Sequence, residues 1–151
     1  AIRFSWSNFA FALLMAAGIV FAAPVSMEAK QKQEAGASIP HLTGSTFNYA
    51  VARSSVPVLV QFDAKWCPYC KKMQPALDKL RDSTADVIIY KVDMDSEPAI
   101  CAEYGVSTLP TLIIFHRGQP IARNEGALDK DELFEWVGDT AKEARNTPID
   151  N

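Results

Sequence analysis

The sequence predicts an α/β sandwich, in which a central, mostly parallel mixed sheet carries helices on both faces. Three observations predict it. The segments Val56–Phe62, Val87–Val92 and Thr111–Phe115 are apolar on both faces, as strands in the middle of a sheet must be. Apolar residues at helical spacing stand between and after these strands. Turn residues, Gly105 and the pair Arg117-Gly118, punctuate the connections.

Taken in order, Thr43 or Ser45 can cap a first helix running to about Arg53. The strand 56–62 follows. Met73, Ala76, Leu77 and Leu80 then form one apolar helix face, with Lys71, Lys72, Asp78, Lys79 and Arg81 off it. After the strand 87–92, Asp95 or Ser96 caps a short helix that Gly105 ends. The strand 111–115 turns at Arg117-Gly118 into Pro120–Arg123, its antiparallel neighbour. Asp129, with Glu132 three residues on, opens a last helix as a capping box, and Leu133, Phe134, Val137 and Ala141 form its buried side.

With 151 residues, 48% hydrophobic and 22% charged, the chain has enough apolar material for one folded domain and is not a disordered one. A net charge of −3 and no clustered Lys/Arg argue against nucleic acid as a partner.

The N-terminus differs in composition. Arg3 is the only charge before Glu28, and the apolar run from Phe9 to Ala23 is shorter than the roughly 20 residues that cross a bilayer as a helix. It ends in small residues, which is the layout of a secretory signal over residues 1–22, or of an anchor left uncleaved. Residues 23–38 read as a linker, 39–145 as the folded domain and 146–151 as a tail. The expected location is outside the cytoplasm: periplasmic, secreted, or held at the membrane by the N-terminal segment.

Three cysteines are too few for a disulfide-stapled scaffold. Two form Cys67-Pro68-Tyr69-Cys70, between a buried strand and an amphipathic helix. Pro68 suits a first helical turn, which puts Cys67 at the helix N-terminus, where unpaired N–H groups favour a thiolate. Cys70, three residues on, is placed to resolve a mixed disulfide on Cys67. The same pair could be half of a zinc site. That site needs about four ligands, however, and His41 and His116 are isolated in the sequence. The third, Cys101, falls among Ile100, Ala102 and Tyr104 and reads as a buried, inert thiol. Asp63 and Lys65 read as solvated loop charges, and His116 as a surface residue.

Several motifs in order resemble the thioredoxin family. Phe62-Asp63-Ala64-Lys65-Trp66-Cys67-Pro68-Tyr69-Cys70-Lys71 resembles its active-site segment, and Pro75 stands where the family has a proline in the following helix. Tyr104–Thr111 resembles the segment leading to the family's cis-proline, which would be Pro110. Gly118, Gly126 and Ala127-Leu128 also match, so the resemblance covers about Ile39 to Ala144.

The resemblance implies the thioredoxin fold, and an enzyme that exchanges dithiol and disulfide with protein substrates. Cys67 would be the nucleophile and Cys70 the resolving thiol. Trp66, Pro68 and Tyr69 would shape the substrate surface, Leu109 would offer backbone hydrogen bonds, and Pro110 would face the sulfurs. No metal or organic cofactor is implied, since the electrons reside in the sulfur pair. The implied partners are protein thiols and disulfides, with a membrane protein as a candidate redox partner, and the implied state is a monomer.

Gln61 stands where many thioredoxins have a buried Asp that helps move the resolving thiol's proton, and Gln cannot exchange one. Lys91 matches the family's buried lysine near that site; without the Asp, it could reach out to solvent. Gln61 and Lys91 are therefore expected to tune the site. Pro68-Tyr69 replaces the usual Gly-Pro, which points to a less reducing potential. The direction stays open between a thioredoxin-like reductant and a disulfide-forming oxidase. A non-catalytic binding module is the rival from another class.

Overall fold

A computed structural model describes residues 33–147. The expected signal segment, most of the expected linker and the end of the expected tail lie outside the described residues. The order of elements is α1 (Phe47–Arg53), β1 (Val58–Asp63), α2 (Pro68–Ser83), β2 (Ile88–Asp93), α3 (Pro98–Glu103), β3 (Thr111–His116), β4 (Gln119–Glu125) and α4 (Lys130–Asn146).

The strands form one sheet in the order β2-β1-β3-β4. Only β1 and β2 run parallel, whereas β1–β3 and β3–β4 are antiparallel. The sheet is therefore mixed, and the expectation that it is mostly parallel is corrected. The reason is reach. The helix α2 is long enough to return the chain along the sheet, so β2 starts level with β1. The six-residue α3 spans only about 9 Å at 1.5 Å per residue, against about 20 Å for a strand of the same length. The connection as folded does not carry the chain back to the far end, so β3 starts where β2 finished and runs the other way.

Side chains alternate across each strand, and the two faces fill separately. Val58, Val60 and Phe62 of β1 pack with Phe47 and Val51 of α1 and Ile100 of α3. Leu59 packs on the opposite face with Met73, Leu77 and Leu80 of α2 and Leu133 and Val137 of α4. Helices thus cover both faces, as the apolar strands require. Period-two alternation carries Gln61 and Asp63 onto Leu59's face, beneath α2.

Two helix starts differ from expectation. The N-cap of α1 is Thr46, which gives the helix no side-chain hydrogen bond, because its hydroxyl accepts instead from the Thr43 backbone N–H. The N-cap of α3 is Glu97, just before Pro98; Asp95 and Ser96 lie outside the helix. At α4 the capping box is as expected: Asp129 accepts from the Asp131 and Glu132 N–H groups, and Glu132 accepts from the Asp129 N–H.

The outer edge of β2 is covered by the chain's own N-terminal segment. Leu42 donates to the Lys91 carbonyl at 2.8 Å, and Lys91 donates to the Pro40 carbonyl at 3.0 Å. The Gln33 amide pairs both ways with the backbone of Ile89. The Ala37 carbonyl accepts from the buried Arg81 guanidinium, which also holds Asp78 and Asp82 at 2.9 and 2.8 Å. The described part of the expected linker, residues 33–38, is docked against the domain.

Candidate active site

Cys67 leaves β1 through a short turn, its N–H donating to the Ala64 carbonyl at 3.0 Å. It is the N-cap of α2, with extended backbone (φ −78°, ψ 109°), and Pro68 takes the first helical position, where its missing N–H costs nothing. The Cys70 N–H donates to the Cys67 sulfur at 3.1 Å. One of the orphan donors of the helix start is therefore spent on this sulfur. A negative charge at this atom is stabilised by that donor and by the helix dipole.

The two sulfurs are joined as a disulfide with a Cα–Cα separation of 5.4 Å. Both cysteines are buried and pack with Ala64. Leu109 leans on this group from the loop before β3, and the Leu109–Pro110 bond is cis. The loop is tied at both ends. The Gly126 N–H donates to the Pro110 carbonyl at 2.8 Å, from a backbone with φ +97° that favours glycine. The Arg123 guanidinium donates to the Tyr104 and Gly105 carbonyls at 2.7 and 3.1 Å. In front of the sulfurs, Trp66 and Tyr69 stand 64% and 61% exposed, a large apolar rim facing outward. The Trp66 indole N–H donates to Asp95 at 3.0 Å, which fixes that ring. The structure therefore gathers Trp66, Cys67, Pro68, Tyr69, Cys70, Leu109 and Pro110 at one end of the sheet.

Behind the sulfurs the arrangement departs from the sequence reading. Asp63 is not a solvated loop charge. It is the last residue of β1, in register with Asp93 of β2, and only 8% exposed. The strand runs one residue further than its apolar run suggests, because Asp63 has a partner. Lys91 does not reach out to solvent: its ammonium lies 3.1 Å from the Asp63 carboxylate and donates to Gln74 of α2. Nor is His41 isolated; its Nε2 is 3.6 Å from the other Asp63 oxygen. Gln61 is fully buried, and its amide makes no hydrogen bond among the described residues. Asp63, Cys70 and Lys91 line a common cleft of about 600 Å³. The missed signal was the two-residue spacing of Gln61 and Asp63, which puts both on the cysteine-bearing side of the sheet.

Away from this cluster, Cys101 is 3% exposed, and its thiol is pushed up by burial and by the nearby Asp93 and Glu97 carboxylates. His116 ends β3 half-buried, its Nδ1 without a partner among the described residues. Burial and the adjacent Arg117 guanidinium hold its imidazole below the usual range.

The thioredoxin family's sequence profile matches residues 38–139, the whole sheet and most of the flanking helices. The chain belongs to the thioredoxin family. Thioredoxin from Chlamydia trachomatis serovar D is 41% identical over 90 residues, covering 60% of this chain and 88% of the relative. Thioredoxin from Rhodospirillum rubrum is 39% identical over 97 residues, covering 64% and 93%. Among solved structures, oxidised mitochondrial thioredoxin 3 from Saccharomyces cerevisiae is similar at a TM-score of 0.62 and 33% identity, covering 67% of this chain and 94% of that one. The thioredoxin fold and the Cys67–Cys70 pair make this chain a thiol–disulfide oxidoreductase acting on protein thiols and disulfides.

Proposed function

We propose that this thioredoxin-family protein works outside the cytoplasm as a reductant of client disulfides, kept reduced by a membrane partner. In each cycle the Cys67 thiolate attacks a client disulfide to form a mixed disulfide. Cys70 then attacks Cys67 and releases the reduced client.

The observation that carries this reading is the pairing of a buried Cys67–Cys70 disulfide with an exposed rim. Trp66 and Tyr69 face outward while Leu109 and the cis Pro110 close the other side, a surface suited to an extended polypeptide. Leu109 would offer it backbone hydrogen bonds. The short β2–β3 connection favours a reductant, since it holds only α3 where the bacterial disulfide-oxidase branch has a large helical insertion. Work outside the cytoplasm is supported by the basic start, short apolar run and small-residue exit of residues 1–22.

Insulin-disulfide reduction by the intact protein and a Cys67→Ser variant tests the enzyme reading; equal rates would refute it. The reduction potential tests direction. A value near thioredoxin's, about −270 mV, supports a reductant, and one near −120 mV makes the protein an oxidase. Fractionation of cells carrying the full chain tests export, which fails if the protein stays in the cytosol.

A further inference from the structure

The exchange cycle leaves one proton without a destination. In the mixed disulfide, Cys70 is a buried thiol, and burial in apolar surroundings disfavours its thiolate. Gln61, buried on β1, has no ionisable group. A carboxylate stands two residues further along the same strand face, however, lining the same cleft as Cys70. We propose that Asp63 is the proton acceptor for Cys70, reached through water in that cleft. The inference rests on the exchange chemistry at Cys67 and Cys70, in whichever direction the cycle runs.

Three observations support it. The first is room: a cleft of about 600 Å³ has space for several waters, each needing about 30 Å³, and Asp63, Lys91 and Gln74 are among the polar groups that line it. The second is placement. Lys91 at 3.1 Å holds one Asp63 oxygen at the end of a rigid strand, and the half-exposed His41 ring lies 3.6 Å from the other, so the carboxylate has a solvent-facing neighbour. The third is position along the chain: of the carboxylates in the cleft, Asp63 is the one carried by β1, the strand that leads into the cysteine turn. The other ionisable groups facing the cleft are Lys65, Lys71, Asp93 and Glu97, besides the Lys91 and His41 already placed. The lysine ammonium groups are hydrogen-bond donors and not acceptors. Asp93 accepts from the Asp95 backbone N–H and Glu97 from that of Gly44, so both are tied to loops at the rim.

The Cys70 proton passes through water to the Asp63 carboxylate. The electron pair left on the Cys70 sulfur forms the bond to Cys67. The bond between Cys67 and the client sulfur breaks, and its pair leaves with the client as a thiolate, which takes a proton from solvent. The Cys67–Cys70 pair is thereby oxidised by two electrons and the client disulfide reduced by two. Asp63 returns its proton to bulk water.

A symmetric aryl disulfide whose thiolate absorbs visible light separates the two steps in stopped flow. The reduced protein releases one coloured thiolate when Cys67 attacks and a second when Cys70 resolves. In Asp63→Asn the first phase keeps its rate, and the second slows about 100-fold near neutral pH. The deficit narrows as pH rises, because hydroxide entering the cleft then takes the thiol's proton without help from a carboxylate. An unchanged second phase, or one slowed by the same factor at every pH, overturns the proposal.

Because Asp63→Asn leaves Lys91 unpaired, the double variant Asp63→Asn/Lys91→Met is measured alongside. The same pH-dependent deficit supports the proposal, and recovery of the original rate overturns it by tracing the effect to the stranded lysine. Glu97→Gln, which removes a carboxylate from the same cleft, keeps the unsubstituted profile; a matching deficit there also overturns the assignment. An unsubstituted protein that released no coloured thiolate would refute the exchange reading itself, a distinct outcome.

Discussion

Gln61 and Asp63 lie two positions apart on one face of β1, yet the Gln61 amide meets no partner among the described residues while Asp63 is held 3.1 Å from Lys91. A buried polar group without a hydrogen bond costs free energy, and a paired charge at a strand end costs far less than an unpaired one. The two residues therefore predict opposite responses to replacement by neutral groups.

Gln61→Met keeps the volume and removes the unsatisfied amide. Stability should rise by about 1 kcal/mol, read as a higher denaturant midpoint with an unchanged slope. A lower midpoint would mean that the amide has a partner in solution.

Lys91→Met strands the Asp63 carboxylate, with both side chains close to nine-tenths buried. Breaking such a pair from one side costs about 3 kcal/mol, and Lys91→Met/Asp63→Asn should recover most of that loss. Additive losses in the double variant would show that the two groups do not interact.

Asp129→Ala removes the side chain that accepts from two N–H groups at the start of α4. The expected loss is about 1 kcal/mol of stability, with a lowered melting temperature. No change would mean that water caps the helix equally well.

His116 gives a pH dependence of known sign. Its imidazole is held below the usual range in the folded chain by burial and by Arg117, so the unfolded chain takes up the proton first as pH falls. The stability associated with the neutral ring is complete above about pH 6.5 and is lost as pH drops through the folded value. Melting temperatures between about pH 7 and pH 5 should fall less steeply in His116→Gln than in the unsubstituted protein. Parallel slopes would remove His116 from the account.

Cys101 should resist iodoacetamide in the folded protein at pH 8 and react after unfolding, because burial and two nearby carboxylates raise its thiol. Labelling counted by mass spectrometry, with the other two cysteines held as the disulfide, checks this. Rapid native labelling would show that α3 opens.

Much of this was legible in the chain. Residues 56–62 and 111–115 read as buried strands because they are apolar on both faces, with β1 itself beginning at Val58, and Asp129 with Glu132 read as a helix start because capping chemistry is local. What was missed depended on partners far away in sequence. A lone Asp after Phe62 looks like a loop charge until Lys91 is brought beside it by the β1–β2 register. The direction of β3 was hidden because strand–helix alternation records order and not how far a helix travels. Thr43 and Asp95 looked like caps because both residue types favour that role; Thr46 and Glu97 took the cap positions, with Pro98 marking the start of α3.

The covering of β2 has a consequence for how the protein behaves when crowded. One margin of the sheet is sealed by the polypeptide's own preceding residues. At the other, Pro120 withholds an N–H, and the pairing slips where Phe115 follows Ile114. Among the described residues, each border is interrupted where strands of separate molecules would otherwise zip along a continuous row of amides. A sheet finished in this way gives poor footing to the stacking by which β-rich proteins clump.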